Sequence, residues 1–335
     1  MKIAFMIPEI SATNGAGDGI RNQAWTWAAG LRDIGVTVDM ISPWEVYDFR
    51  TYDLVHFFSY YPAMDKYSAH LKQKFGMKLA ISPIIDSNRA PTLTRLASYF
   101  NCPRLHMFSP MGSLRESIPI LDAVFVRSEY EGNYVRKAFG APKNKIYKVM
   151  LSTRLPATGV ATKRDDFCLL VSYMPSLRKN VFGLVNAAIK YKFRLVLAGG
   201  MTTRPQYEKL KETIKGHENI TLLGWVPDEQ LLSLYQKARV FALPSFMEGV
   251  GLVALEAAAN GCDVVLTNRG APKEYYNGMV RLVDPTSIDD IGRAIVEFLE
   301  GKTFQPQLGR YISETHSARA SAKDLYESYC TILGR

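Results

Sequence analysis

Short apolar runs alternate along the whole chain with longer stretches in which apolar residues recur at helical spacing. In the first part of the chain, five such runs predict strands: KIAFMIP, VTVDMIS, YDLVHFFS, KLAISPII and AVFVRS. Residues 22–34 and 64–75, which lie between runs, have the period of an amphipathic helix. Continuous apolar strands that alternate with helices predict a parallel sheet covered by helices on both faces.

The same pattern starts again in the second half of the chain. Six more runs predict strands of a second sheet: FCLLVSYM, FRLVLAGG, ITLLGW, RVFALPS, DVVLTN and VRLVDP. The polar stretch 156–166 lacks periodicity and predicts a linker. We therefore expect an α/β protein with two Rossmann-like domains, over residues 1–155 and 167–312, that face each other across a cleft. A final helix within residues 313–335 is expected to cross back toward the first domain.

Length and composition agree with a two-domain protein of a reducing compartment. The chain has 335 residues, and its four cysteines lie far apart without a CxxC pair. This spacing argues against a disulfide framework and against a zinc site. The apolar run at the N-terminus is too short for a signal peptide, and no run approaches the roughly 18 residues of a membrane span. We expect a cytoplasmic protein.

Basic residues exceed acidic ones, with a net charge of +9. The excess lies mainly in the first half, at lysines 66, 72, 74 and 78 and within residues 136–148. Such a face favours an anionic membrane surface or an anionic acceptor, and solubility alone is the alternative. Together with the stretch LHMFSPM, it predicts peripheral contact with the inner face of the membrane. Nucleic acid fits less well, because the basic stretches lack interleaved aromatic residues.

The segment FALPSFMEGVGLVALEAAANGCDVVLTN predicts a ligand site. A buried strand leads into a loop with Glu248, Gly249 and Gly251, and the helix that begins near Leu252 carries Glu256. Glycines let a backbone approach a ligand, and the start of a helix suits a diphosphate. Glu256 stands among leucine and alanine, where a carboxylate is costly without a partner. The alternative is a Glu256 that faces solvent.

This segment resembles glycosyltransferase family 4, in which two glutamates with seven residues between them occur in a stretch like EGFGLxxLEAMAxGxPVV. The resemblance continues through NRGAPKEYYNG to LVDPTSIDDIGRAI and is strongest over residues 169–299. It implies the GT-B fold, a nucleoside-diphosphate sugar as donor and retention of the anomeric configuration. It also implies that Glu248 contacts the donor sugar and that Glu256 binds the ribose. No metal ion is expected, because helix N–H groups and basic side chains can stabilise the leaving diphosphate and no DxD motif stands at a strand end.

The stretch SYMPSLRKNVFGL predicts a phosphate contact between a strand and a helix. Lys179, or Arg178 beside it, looks like the lysine with which the family holds the diphosphate. The family's arginine corresponds to Tyr173 here, so Arg178 is the candidate substitute. The alternative is a surface Arg–Lys pair. Further along, GWVPDEQ resembles the family's nucleobase pocket, with main-chain groups near Val226 as base contacts.

The first domain carries fewer chemical signals. Its glycines 15, 17 and 19 form GxGxG rather than the dinucleotide pattern GxGxxG, which weakens a nicotinamide interpretation even though Asp39 follows about 20 residues later. The resemblance implies that Gly17 and Gly19 contact the donor phosphates. The family's histidine after the fourth strand corresponds to Asp86, whose alternative role is a helix N-cap. His56 is more often a satisfied core group than a cleft residue.

These observations assign Glu248, Asp86 and Lys179 to catalysis, with no metal and no cofactor beyond the donor. The donor is expected to contact Glu256, Arg178, Lys179, Gly17, Gly19, Gly249, Gly251, Leu252, Val226 and Tyr173. The acceptor is a glycan, a glycolipid or a small alcohol. Because the phosphate arginine and the histidine are missing, a non-catalytic sugar-nucleotide-binding protein is the second hypothesis. Hydrolysis fits less well, because two glutamates about two helical turns apart suit separate binding tasks better than paired catalysis.

Overall fold

The computed structural model describes residues 1–9, 11, 19–42, 44–100, 108–157 and 164–335. Contacts divide the chain into two units, one of Met1–Ser152 with Ala318–Arg335 and one of Thr153–Ser317. The second unit thus starts before the expected linker, and its first strand starts within it, at Asp165. The first two residues of that strand are exposed aspartates, which gave this stretch its polar pattern.

Each unit contains a parallel sheet with six strands among the described residues. The first sheet has the order β2-β1-β3-β4-β5-β6 and consists of β1 (Lys2–Met6), β2 (Thr37–Met40), β3 (Leu54–Phe58), β4 (Lys78–Ser82), β5 (Ala123–Val126) and β6 (Ile146–Lys148). The second has the order β12-β11-β10-β7-β8-β9 and consists of β7 (Asp165–Val171), β8 (Leu195–Ala198), β9 (Ile220–Gly224), β10 (Ala238–Leu243), β11 (Asp263–Thr267) and β12 (Arg281–Val283). All strand pairs are parallel, as the continuous apolar runs predict. The edge strand β6 was missed, because it has only three residues and lies among lysines.

Helices connect the strands in both units. Those of the first unit are α1 (Gly19–Asp33), α2 (Met64–Phe75), α3 (Pro91–Ala97), α4 (Pro110–Ser117) and α5 (Glu129–Phe139). Those of the second are α6 (Val181–Tyr191), α7 (Arg204–Ile214), α8 (Asp228–Lys237), α9 (Leu252–Ala259), α10 (Ile288–Leu299) and α11 (Gln307–Thr315). The last helix, α12 (Ala318–Leu333), belongs to the first unit again. None of the helices in the described ranges is long and apolar enough to cross a bilayer.

The C-terminal helix α12 packs on α1 inside the first unit. A side chain at Gly30 of α1 would lie 2.7 Å from the carbonyl oxygen of Ala318 and 2.9 Å from Cβ of Ala322, so this close approach needs glycine. The final helix expected within residues 313–335 is α12, whereas α11, which ends at Thr315 and packs on α9 in the second unit, was not predicted.

His56 of β3 lies in the core of the first unit and ties the sheet to α12. Its Nδ1 is 2.6 Å from the hydroxyl of Tyr329, and its Nε2 is 2.9 Å from Oγ of Ser82. Burial lowers the pKa of His56 from 6.5 to about 3, so the ring is neutral at pH 7. The structure therefore favours the core role of His56 over a place in a ligand cleft.

Candidate functional site

A buried ion pair stands at the carboxyl ends of two neighbouring strands of the second sheet. Glu248, in the loop after β10, is 3% exposed. Its Oε2 accepts hydrogen bonds from Nζ of Lys179 at 2.6 Å and from Oγ of Ser245 at 2.9 Å. Nη1 of Arg178 lies 4.0 Å from the other carboxylate oxygen. Because β7 and β10 are adjacent and parallel, the loops after them meet at one edge and bring these groups together.

Main-chain bonds hold the two loops in register. The amide of Phe246 donates to the carbonyl of Arg178 at 2.9 Å, and Nη1 of Arg178 donates to the carbonyl of Met247 at 3.2 Å. On the other side, Glu248 forms a parallel bridge with Gly270. Gly270 has φ +97°, and a side chain there would lie 2.0 Å from the carbonyl oxygen of Glu248. Only glycine allows this approach, so Gly270 fixes the backbone that carries the carboxylate.

The helix α9 begins directly after this loop. Gly251, its N-cap residue, has φ +78° and no side chain to accept from the first turn. Gly249 is buried and Leu252, the first residue of the helix, is half-buried. The start of a helix carries partial positive charge, and here no acidic side chain of the first turn neutralises it. This arrangement suits an anionic ligand beside the Glu248–Lys179 pair.

Glu256 faces inward from α9 and is only 2% exposed, so the solvent-facing alternative is wrong. The hydroxyl of Tyr235 donates to its Oε2 at 3.3 Å, and Nε of Arg154 lies 3.6 Å from its Oε1. Burial raises the pKa of Glu256 above its usual value, while Arg154 and the main-chain N–H groups of Arg154 and Leu155 oppose that rise. Sequence reasoning missed Arg154, because nothing in the LSTRLP stretch indicates that it reaches the helix α9.

Two other expected donor contacts lie along the same edge of the second sheet. Tyr173, in the loop after β7, is 44% exposed, and its ring faces Gly200, which follows β8. Val226 follows β9 and is buried, while its neighbour Trp225 is largely exposed. The second unit therefore carries the expected residues Tyr173, Arg178, Lys179, Val226, Glu248, Gly249, Gly251, Leu252 and Glu256.

The remaining predicted residues belong to the first unit. Gly19 is exposed at the start of α1, and Gly17 lies outside the described residues. Oδ1 of Asp86, in the loop after β4, accepts from Nη2 of Arg127 at 2.8 Å. Asp86 is not a helix cap, because the N-cap of α3 is Ala90.

Arg127 is buried and holds a second carboxylate that sequence reasoning missed. Its Nε and Nη2 donate to the two carboxylate oxygens of Glu131 at 2.9 and 3.1 Å. The amide of Ile85 also donates to Glu131, at 2.7 Å. The available signal in the sequence was the spacing of Arg127 and Glu131 at i and i+4, at which oppositely charged side chains can pair. Together these bonds fix the loop that carries Asp86.

A cavity of about 400 Å³ opens at the carboxyl ends of β1, β2 and β3 in the first unit. Its polar lining consists of two carboxylates, Glu9 and Glu45, a serine and three tyrosines, of which Tyr47 donates to Glu45 at 2.6 Å. Ligands bind in such positions of open α/β sheets, and the sequence did not predict this one. Among the described residues, no group of three His, Cys, Asp or Glu side chains could hold a metal ion, and metal independence stays a prediction.

Residues 158–315 match the family model described as glycosyl transferases group 1. The O-antigen chain mannosyltransferase B of Escherichia coli is 28% identical over 248 residues, which cover 65% of this chain and 63% of that protein. The D-inositol 3-phosphate glycosyltransferase of Corynebacterium urealyticum is 35% identical over 149 residues, which cover 41% of this chain and 34% of that protein. The matched region thus spans less than two thirds of these curated relatives.

Solved structures share the fold over the full length. A sucrose-phosphate synthase from Thermosynechococcus elongatus superimposes with a TM-score of 0.74 at 17% identity, covering all of both chains. A glycosyltransferase from Rickettsia africae does so with a TM-score of 0.72 at 17% identity, covering 99% of this chain and 98% of that one. The chain thus resembles the glycosyl transferases of group 1 over residues 158–315, and its two Rossmann-like domains have the GT-B fold of these structures.

Proposed function

We propose that the protein is a retaining glycosyltransferase that moves a sugar from a nucleoside diphosphate to an acceptor hydroxyl without a metal ion. The observation that supports this most directly is the buried Glu248–Lys179 pair beside the start of α9. A carboxylate can orient sugar hydroxyls, while an ammonium group and a helix start favour a diphosphate. All three stand at the carboxyl edge of one sheet, where such folds bind ligands.

The chemistry needs stabilisation of the leaving group. As the bond between the sugar and the phosphate breaks, the diphosphate gains negative charge, which Lys179, Arg178 and the start of α9 are placed to stabilise. Lys179 has three donors and uses one of them on Glu248, so it can hold the carboxylate and a phosphate oxygen together. Arg178 takes the place of the arginine that Tyr173 replaces.

The roles of the other residues follow from the resemblance and stay predictions. Glu256 accepts ribose hydroxyls, for which it must share its oxygens with Arg154 and Tyr235. Main-chain groups near Val226 contact the base, and Gly249, Gly251 and Leu252 face the phosphates. In the first unit, Gly17 and Gly19 are assigned to the donor phosphates and Asp86 to the acceptor hydroxyl.

The acceptor is proposed to be a sugar hydroxyl of a cell-surface glycan or a glycolipid, reached from the cytoplasmic side of an anionic membrane. The names of two relatives support this choice. One is the O-antigen mannosyltransferase of Escherichia coli, and another is a GDP-mannose-dependent phosphatidylinositol monomannoside mannosyltransferase of Mycobacterium tuberculosis, which is 28% identical over 217 residues. A small alcohol is the remaining acceptor class.

The test is a transfer assay with a panel of nucleoside-diphosphate sugars, beginning with GDP-mannose because of these relatives. Each donor is offered with mannosides, glucosides and extracted glycolipids, with and without EDTA, and the anomer of the product is read by NMR. We expect a product with the donor's configuration, unaffected by EDTA and lost in E248Q. The matched control E208Q changes an exposed glutamate of α7 and should retain activity. An inverted product, or activity abolished by EDTA, would contradict the proposal.

A non-catalytic sugar-nucleotide-binding protein is the second candidate, favoured by Tyr173 at the position of the family's arginine. Calorimetry with the same donors separates the two. Tight binding of a donor, with neither transfer nor slow hydrolysis to the free sugar, would establish the binding protein. Slow hydrolysis without an acceptor would instead show a working transfer site whose acceptor was absent from the panel.

A further inference from the structure

The segment formed by α3 and the turns after it, residues 91–100, has its polar and apolar faces reversed. Thr94 and Ser98, four residues apart, are buried, whereas Leu93 and Leu96 are 63% and 62% exposed and Phe100 is 76% exposed. A helix of a globular protein places apolar residues inward and polar residues outward. We call the exposed side chains of Leu93, Leu96, Tyr99 and Phe100 the outer apolar face.

Specific bonds hold this orientation. Oγ1 of Thr94 lies 2.6 Å from the hydroxyl of Tyr134 in α5, on which α3 packs. The carbonyl of Ser98 accepts from Nε of Arg115 at 3.2 Å. The inward residues are thus satisfied by hydrogen bonds, and turning the leucines inward would break the bonds of Thr94 and Ser98. The exposure of the outer apolar face is built into the packing.

Basic residues lie on and beside this segment, and one of them, Arg115, is also paired with Glu116 at 3.4 Å. Arg89 and Arg95 are exposed, and the guanidinium of Arg115 stands 4.2 Å from the centre of the Tyr99 ring. Residues 87–100 contain no acidic side chain. Exposed apolar side chains interspersed with arginine are typical of a surface that lies in the interface of an anionic bilayer.

We propose that the outer apolar face docks the protein on an anionic lipid membrane. The leucines and Phe100 enter the boundary of the acyl chains, while the exposed Arg89 and Arg95 reach the phosphates of the headgroups. A second copy fits less well, because a two-fold contact through this face would bring the arginines of both copies together. The inference rests on the anionic membrane of the proposed function and deepens it by naming the surface that binds the lipid.

The experiment measures sedimentation of the full chain with vesicles of phosphatidylcholine alone or with roughly one third phosphatidylglycerol. We expect retention on the anionic vesicles at low salt, weaker retention at high salt and little on the neutral ones. The variant L93S/L96S/F100S should lose at least about tenfold in partitioning, because it removes most of the apolar area that enters the lipid. R89Q/R95Q should bind the anionic vesicles more weakly and lose most of the salt dependence.

The matched control is V46S. Val46 is fully exposed in the same unit but stands between Glu45 and Asp48, so its loss should leave vesicle binding unchanged. The thermal unfolding temperature and the donor affinity are measured for all variants, and both should match the wild type. This agreement shows that the fold and the second unit are intact.

Three results would overturn the proposal. The first is no retention of the wild type on anionic vesicles, and the second is equal losses in V46S and the triple variant. The third is a wild-type dimer in light scattering that the triple variant abolishes without any vesicle binding, which would assign the face to a second copy. Transfer to a soluble acceptor is measured separately, so a failure here is distinguishable from a failure of the proposed function.

Discussion

The carboxyl edges of the two sheets hold acidic side chains in different ways. In the second unit, Glu248 meets Lys179, which comes from the loop after the neighbouring strand and whose side chain is 17% exposed. In the first unit, Asp86 meets Arg127, whose side chain is only 7% exposed and also binds Glu131. At the edge of the second sheet, Lys179 keeps N–H donors that Glu248 does not use. At the edge of the first sheet, the buried Arg127 is shared by two carboxylates.

This difference indicates what each edge can do. Lys179 can turn a free N–H toward a ligand, so the second edge suits a phosphate. The guanidinium of Arg127 is engaged by two carboxylates of the protein. The edge of the first sheet therefore offers a ligand the partly exposed carboxylate of Asp86 rather than a cation. The first edge therefore suits a hydroxyl donor, such as the acceptor of the proposed reaction.

The largest expected effect comes from removing the cation beside Glu248. K179A should lower kcat/KM for transfer by about 10²–10³, because a charge that stabilises the leaving diphosphate is lost. Initial rates over a range of donor concentrations measure this. The control K190A changes an exposed lysine that pairs with Asp289 on the surface and should stay near the wild type. A loss below about threefold in K179A would remove the phosphate role.

The next effect tests the backbone that presents Glu248. G270A should lower the free energy of unfolding by about 3 kcal/mol or more, since its side chain collides with the carbonyl of Glu248 in addition to the strained φ. The control G278A has a similar φ, +78°, but open space around it, and should cost about 1 kcal/mol. Both free energies are measured by urea unfolding. Equal losses in G270A and G278A would show that the close approach of Gly270 to Glu248 is not required.

A smaller effect concerns the second glutamate. E256Q should weaken donor affinity about tenfold in calorimetry, because an amide accepts ribose hydroxyls less strongly than a carboxylate. E229Q, on the exposed first turn of α8, is the control. Unchanged affinity in E256Q would confine this residue to its contacts with Arg154 and Tyr235.

In the first unit, D86N should lower kcat about tenfold and leave the KM of the donor unchanged, because an amide is a poorer acceptor for the incoming hydroxyl proton. The free energy of unfolding should change by less than about 1 kcal/mol, since Arg127 keeps its bonds to Glu131. D33N, an exposed change at the end of α1, is the control. If D86N instead raised the KM of the donor and left kcat unchanged, Asp86 would contact the donor. That result would contradict the assignment of the acceptor to the first unit.

A pH-dependent effect tests the core behind the edge of the first sheet. The pKa of His56 is about 3 in the folded state, below its ordinary 6.5, so the unfolded chain takes up the proton first as pH falls. Stability is therefore lost from about pH 6.5 toward pH 3, by at most about 1.4 kcal/mol per pH unit. H56N should flatten this part of the stability curve, whereas H70N, at an exposed site, should not. The free energy of unfolding is measured against pH for each protein. Parallel curves for the wild type and H56N would contradict the assignment of this pH dependence to His56.

The sequence predicted both sheets and most of their strands, because buried parallel strands leave continuous apolar runs. It missed β6, whose three residues leave almost no pattern, and it did not predict α11. It located Glu248, Lys179 and Glu256 on the correct loop and helix. It did not find Arg154 and Tyr235, the partners of Glu256, because those contacts join distant segments.

The sequence by itself determined the alternation of strands and helices, the glycine-rich loop before α9 and the spacing of its two glutamates, since these depend on neighbours within a few residues. Only the tertiary structure decided that Lys179 is paired with Glu248, that Asp86 shares Arg127 with Glu131, and that the leucines of α3 face outward. Each of these depends on which loops and helices pack together, and a hydrogen bond across 40 or 70 residues leaves no period in the chain.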